Sequence, residues 1–138
     1  MYGSLAVSTS GMIAQRTRLA VVASNIANSG TLFNAQGEYD PYRRREVFFA
    51  PGDPTAASRS GRQMGVHVAE IEADQEALRK RFAPGNAFAD KDGYIQVPDI
   101  SPAVEQVNAM QASRAYEANV VAAETTKTML AQALRLLA

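Results

Sequence analysis

"VVASNIANSGT", Val21 to Thr31, is the stretch on which the reading of this chain turns. An apolar helical run enters it and meets Ser24, Asn25, Asn28, Ser29 and Gly30 in quick succession. Ser and Asn are weak in helix interiors because their side chains compete for backbone hydrogen bonds. Asn25 and Asn28 lie three residues apart and share a face if the helix persists. The stretch is either a plain helix end or a helix end carrying amides for a partner. Upstream, Leu5, Met12, Leu19 and Ile26 recur every seven residues, and Val22 joins them. That pattern predicts a helix from about Leu5 to Asn28 with a narrow, coiled-coil-like stripe. Ser29 and Gly30 suit its stop.

The other end of the chain carries a longer helical pattern, from about Pro102 to Leu136. Ser101 sits at an N-cap position, Pro102 suits the first helical position, and Glu105 adds an early carboxylate. Tyr116, Asn119, Ala123, Thr126, Leu130, Ala133 and Leu137 alternate at spacings of three and four, and Ala109 and Ala112 extend the row backwards. This is a heptad seam of small residues that lets backbones approach closely. Asn119 places an amide in it, a device that fixes register at some cost in stability.

The middle has a different texture. Arg45 to Ala50, closed by Pro51-Gly52, predicts a short strand. "GVHVAEIEAD" alternates Val66, Val68 and Ile71 with polar neighbours, as a half-buried strand does. Tyr94 to Val97 predicts a third strand within Gly- and Pro-punctuated sequence. Gln75 to Phe82 reads as a short helix, and 51–64, rich in Gly, Ser, Ala and Arg, as a mobile loop. Two terminal helices (1–32 and 101–138) around a partly β segment (33–100) give a mainly α fold with a small β-rich insertion. The terminal helices are expected to pair as a coiled coil, with the middle as an outer domain. Such a chain has a thin core, because each seam needs something to cover it and a lone antiparallel pair of small side chains is marginal. Packing against other subunits is the expected remedy. A monomer that is fully helical at micromolar concentration would contradict it.

Bulk composition narrows the function classes. The 138 residues make one ordinary domain, with 14 basic and 14 acidic side chains. That balance argues against a nucleic-acid binder. Charge is segregated, with three charged residues in 1–38, six in 101–138 and the other nineteen between. There is no Cys, hence no disulfide, thiolate metal site or Cys nucleophile. No segment reaches the ~18 continuous apolar residues of a membrane span. The N-terminus, whose first basic residues are Arg16 and Arg18, does not have the layout of a cleaved signal peptide.

Catalytic chemistry finds no constellation. His67 is the single histidine and sits in a strand pattern without the partners a triad or metal site requires. "DKDGY", Asp90 to Tyr94, lacks the spaced carboxylates and terminal Glu of a calcium loop and reads as a turn. The glycines are scattered, so there is no phosphate loop. Arg43-Arg44-Arg45 and Arg79-Lys80-Arg81 can grip phosphate or an acidic surface, and Glu70, Glu72, Asp74 and Glu76 can oppose them across subunits. Solvated charged faces are the bland alternative.

The run "SGMIAQRTRLAVVASNIANSGT" resembles the N-terminal signature of flagellar rod and hook proteins. Leu19, Ala23, Ser24, Asn25, Ile26, Ala27, Asn28 and Thr31 carry the match. "SPAVEQVNAMQASRAYEANVVAAETTKTMLAQAL" resembles the C-terminal signature of the same family, centred on Ser113, Arg114, Tyr116, Glu117, Ala118 and Asn119. "GVHVAEI", "DGYIQVPDISPAVE" and the length narrow the resemblance to proximal-rod members. One departure is that Ala87 and Phe88 stand where the family has a His-Pro portion of a turn.

The resemblance implies a structural subunit, not an enzyme, with no cofactor, nucleic acid or small-molecule substrate. It implies passage through the flagellar type III export apparatus without cleavage of a signal, and self-assembly in the periplasm into a helical tube. The implied partners are the other proximal and distal rod proteins, the adaptor at the membrane ring, and copies of itself. The interface residues it nominates are Leu19, Val22, Asn25, Ile26, Asn28, Arg114, Tyr116, Glu117, Asn119, Ala123, Thr126, Leu130 and Leu137. Arg114, Glu117 and Asn119 are the expected counterparts of the two N-terminal amides, in the same subunit or the next. The competing readings are another axial protein of the family, a soluble chaperone or regulator that binds a partner helix, and a small hydrolase or phosphate-binding enzyme using the Arg clusters. The last lacks a base paired with a nucleophile.

Overall fold

The computed structural model describes residues 2–137, and side chains from 3 to 136. Two long helices, α1 (Tyr2–Ala27) and α3 (Pro102–Leu137), lie at the two ends of the chain. Between them come β1 (Arg45–Pro51), the short helix α2 (Arg59–Met64), β2 (Val66–Ala73), β3 (Leu78–Phe82) and β4 (Tyr94–Pro98). About half of the chain is helical, and the strands form two separate two-stranded antiparallel sheets, β1–β2 and β3–β4.

The long helices pack against each other and run antiparallel. Asn25 near the end of α1 bonds to Glu105 in the first turn of α3, and Gly11 lies against the Asn119 side chain. This register leaves the last residues of α3 beyond the start of α1, an overhang of roughly 13 Å. The seam expected on α3 coincides with its less exposed face. Ala112 is fully buried, and Ala109, Tyr116, Asn119, Ala123, Thr126, Leu130 and Ala133 are half-buried. On α1 the outcome differs from the expected stripe. The buried face is Ser8, Gly11, Ala14, Val21, Val22 and Asn25, while Leu5, Met12 and Leu19 flank it and Ile26 is 37% exposed. The reason is steric: an added Cβ on Gly11 would come within 2.6 Å of Asn119 Oδ1, a spacing that only small residues allow.

Two sequence expectations in the middle segment need correction. Gln75 to Phe82 is not a helix; its second part is β3, paired with β4 from Leu78↔Pro98 to Phe82↔Tyr94. Asp74 Oδ1 accepts from the Glu76 N–H and turns the chain there, and β4 supplies a pairing edge whose Ile95 and Val97 are buried. That tertiary partner overrides the local helical pattern. Nor is 51–64 all loop: its last part is α2, capped by Ser58, whose Oγ accepts from the Gly61 N–H. Gly61 rests on Ala6 of α1, and Gly3 of α1 rests on Ser60, so small residues again allow the contact. Gly52 (φ 82°) makes the bend after β1, where a Cβ would lie 2.6 Å from the Arg62 carbonyl oxygen.

Three rings knit the outer loops together. Phe88 stacks on Tyr39 at 4.8 Å between centroids, and Phe33 meets both edge-on. Phe88 therefore fills a structural position among these rings.

Candidate functional site

The joint between the helix pair and the strand region is built around Asn25, which is 1% exposed. Its Nδ2 donates to the Arg45 carbonyl (2.9 Å) and to Glu105 Oε2 (3.0 Å). Its Oδ1 accepts from the Arg45 N–H (2.9 Å) and the Tyr42 hydroxyl (3.1 Å). All four hydrogen-bonding positions of one amide are thus filled. Glu105, 3% exposed on its side chain, accepts also from Asn108 Nδ2 and lies 3.5 Å from Arg44 Nη1. A buried carboxylate is tolerable here because it has both a cation and donors. Arg44 also pairs with Glu46, and Arg45 sits over the Tyr42 ring. One node thereby ties α1, α3 and the start of β1.

Asn28 acts locally. Its Nδ2 donates to the Ser24 carbonyl and its Oδ1 accepts from the Thr31 hydroxyl, closing the end of α1. This capping use goes beyond the Ser29 and Gly30 stop read from the sequence. A second tie lies at the other end of α1: buried Ser10 donates to the Val7 carbonyl and accepts from the Val66 N–H, seating β2 on the helix.

The two basic clusters differ. Arg43 pairs with Asp40, and Arg44 and Arg45 belong to the joint, so the first cluster is engaged within the chain. Arg79, Lys80 and Arg81 are exposed and make no ion pair among the described residues. His67 Nδ1 donates to the Gly52 carbonyl, a structural tie. Asp53 beside it is held below its ordinary carboxyl value, chiefly by hydrogen bonds from the Thr55 hydroxyl and backbone N–H. Among the described residues no group of three or more His, Asp or Glu is placed to hold a metal ion, and no helix is long and apolar enough to cross a membrane.

A family model described as flagella basal body rod protein matches residues 5–31, and one described as flagellar basal body rod FlgEFG protein C-terminal matches 91–136. The chain is 35% identical to the flagellar basal-body rod protein FlgC of Borreliella burgdorferi, covering 99% of this chain and 97% of that one. It is 37% identical to FlgC of Bacillus subtilis (98% and 97%) and 37% identical to FlgC of Salmonella typhimurium (94% and 92%). The chain belongs to the FlgC family of flagellar basal-body rod proteins. It is accordingly a structural subunit of the rod, in the flagellar basal body. Both sides of the Asn25–Glu105 contact fall inside the two matched segments.

Within this FlgC-family chain the nominated interface residues divide by exposure. Val22 and Asn25 are buried, and Leu19, Asn28, Tyr116, Asn119, Ala123, Thr126 and Leu130 are half-buried. Ile26, Arg114 and Glu117 are exposed, and the Leu137 side chain lies outside the described residues. Within the chain, Arg114, Glu117 and Asn119 are not the partners of Asn25. In the antiparallel register Asn119 sits against Gly11, fourteen positions along α1 from Asn25 and so roughly 21 Å away. The partners that sequence reasoning missed are Glu105, Tyr42 and the Arg45 backbone. For Glu105 a signal existed: it stands four residues after Ser101, one beyond the position from which a capping-box carboxylate reaches back to the cap.

Proposed function

We propose that the chain is a proximal-rod subunit whose helix pair (1–32 and 101–138) forms the tube wall as a coiled coil, with 33–100 as the outer domain. The observation that carries this is the outward face of α3. Val107, Met110, Arg114, Glu117 and Val121 alternate at spacings of three and four, a second row opposite no element of the chain, and all five are exposed. Met129 and Leu134 (67% exposed) continue the apolar surface onto the overhang. A helix pair whose contact is made largely of small residues while large apolar ones face water is half of an interface. We assign neighbour contacts to Leu19, Ile26, Arg114 and Glu117, and in-chain packing to Val22, Asn25, Tyr116, Asn119, Ala123, Thr126 and Leu130.

In this reading the subunit crosses the inner membrane through the flagellar type III export apparatus uncleaved and assembles in the periplasm. Its contacts are further copies of itself, the other proximal and distal rod proteins, and the adaptor at the membrane ring. The test is Val121→Glu combined with Met129→Glu. Circular dichroism is expected to show an unchanged helical fold, and purified basal bodies to lack the variant. Normal incorporation of the variant would refute the interface.

A further inference from the structure

The β1–β2 sheet presents an uncovered face of carboxylates. Glu46 lies directly across from Glu72, and Phe48 across from Glu70, so these four side chains share one face. Glu46, Glu72, Asp74 and Glu76 border a groove of about 310 Å³ around Phe48, itself 47% exposed. Like charges directly opposite on a sheet destabilise it, and among the described residues only Glu46 of this face pairs with a cation, Arg44. The complement is on the same molecule but does not reach: Arg79, Lys80 and Arg81 on β3 are exposed and pair with nothing among the described residues. The chain's formal net charge is zero, so a strongly acidic face and a strongly basic strand coexist on one subunit.

We propose that the acidic β1–β2 face of one copy docks on the basic β3 strand of a second copy, a head-to-tail contact between outer domains around the rod. The proposal rests on the rod reading above. Arg and Lys fit the groove because their stems cover Phe48 while their heads neutralise the carboxylates. The contact is heterologous, using different surfaces on the two subunits, and such a contact repeats around a tube and does not close into a pair.

Two variants with opposite reversals test it. Glu70→Arg with Glu72→Arg is expected to lower the amount of chain in purified basal bodies about tenfold, and Arg79→Glu with Arg81→Glu likewise. All four together restore the charge match and return incorporation to within about threefold of the parent. Circular dichroism on each variant checks that these exposed substitutions leave the fold intact. In parallel, a chain with Glu72→Cys and a differently tagged chain with Arg81→Cys are produced together. Because the parent has no Cys, a short bis-maleimide is expected to give mixed dimers in intact basal bodies. The proposal is overturned, with the rod reading left standing, if the basal bodies contain the chain and the reversals have no effect. The same holds if the fourfold variant is no better than the doubles, or if the Arg81→Cys chain couples to a different rod protein. Absence of the parent chain from basal bodies overturns both.

Discussion

At the residue scale, Asn25 shows how one amide can govern a domain junction. Each of its two polar atoms makes two bonds, and the four bonds serve three requirements: two go to the β1 backbone, one to a buried carboxylate and one to a tyrosine hydroxyl. Asn25→Leu leaves Glu105 and both backbone polar groups of Arg45 each short of one partner. The variant is expected to lose about 3 kcal/mol of stability in urea unfolding with helix content unchanged. Combined with Glu105→Gln in a double-mutant cycle, it should show a coupling of about 1–2 kcal/mol. Additive losses would place the two side chains in independent roles. Asp53 carries a smaller, pH-dependent effect. Its carboxyl titrates below its ordinary 3.8 because the folded loop donates Thr55 bonds to the charged form. The stabilisation is therefore complete above that value and disappears as acid protonates the group. Asp53→Asn should remove this dependence, read as equal hydrogen-exchange protection of 52–65 at pH 3 and pH 5 relative to the parent's loss at pH 3.

At the element scale, the contact between α1 and α3 depends on what is missing from the side chains. Gly11 against Asn119, with Ala14 and Ala112 buried nearby in the helix pair, sets a close approach. Gly11→Leu must displace the Asn119 side chain or push α3 away and should cost about 1–3 kcal/mol. Gly11→Ala with Asn119→Ala should be near neutral or stabilising, since Ala is favoured over Gly in a helix by about 1 kcal/mol. Thermal unfolding of the pair of variants separates steric crowding from propensity. If Gly11→Leu unfolds at the parent's temperature, the close approach is not needed. The helix ends were legible because Ser101-Pro102 and Ser29-Gly30 are local signals. The face of α1 was less so. A seven-residue recurrence of Leu5, Met12, Leu19 and Ile26 marks large side chains, whereas burial here selects small ones.

At the scale of the whole molecule, Ile95, Val97 and Ile100 are buried at and just after β4, whereas the long helices meet largely through small residues and leave Val121, Met129 and Leu134 exposed, which suits a subunit and not a free-standing globule. A chain lacking residues 1–30 loses the cover over Ala112 and Glu105 together. It is expected to unfold without a cooperative transition in urea and to be absent from basal bodies. Its detection in the rod would show that α1 is dispensable for assembly.

Family, the two long helices to within a few residues and three of the four strands were legible in the sequence alone, because each rests on local spacing or on paired terminal signatures. The partner of Asn25, the strand at Leu78 to Phe82 and the burial of small residues on α1 were decided only by tertiary structure. Each depends on segments distant in sequence: Glu105 lies eighty residues from Asn25, β3 is a strand because β4 offers it an edge, and α1 turns Gly11 inward because the Asn119 side chain of α3 lies against it.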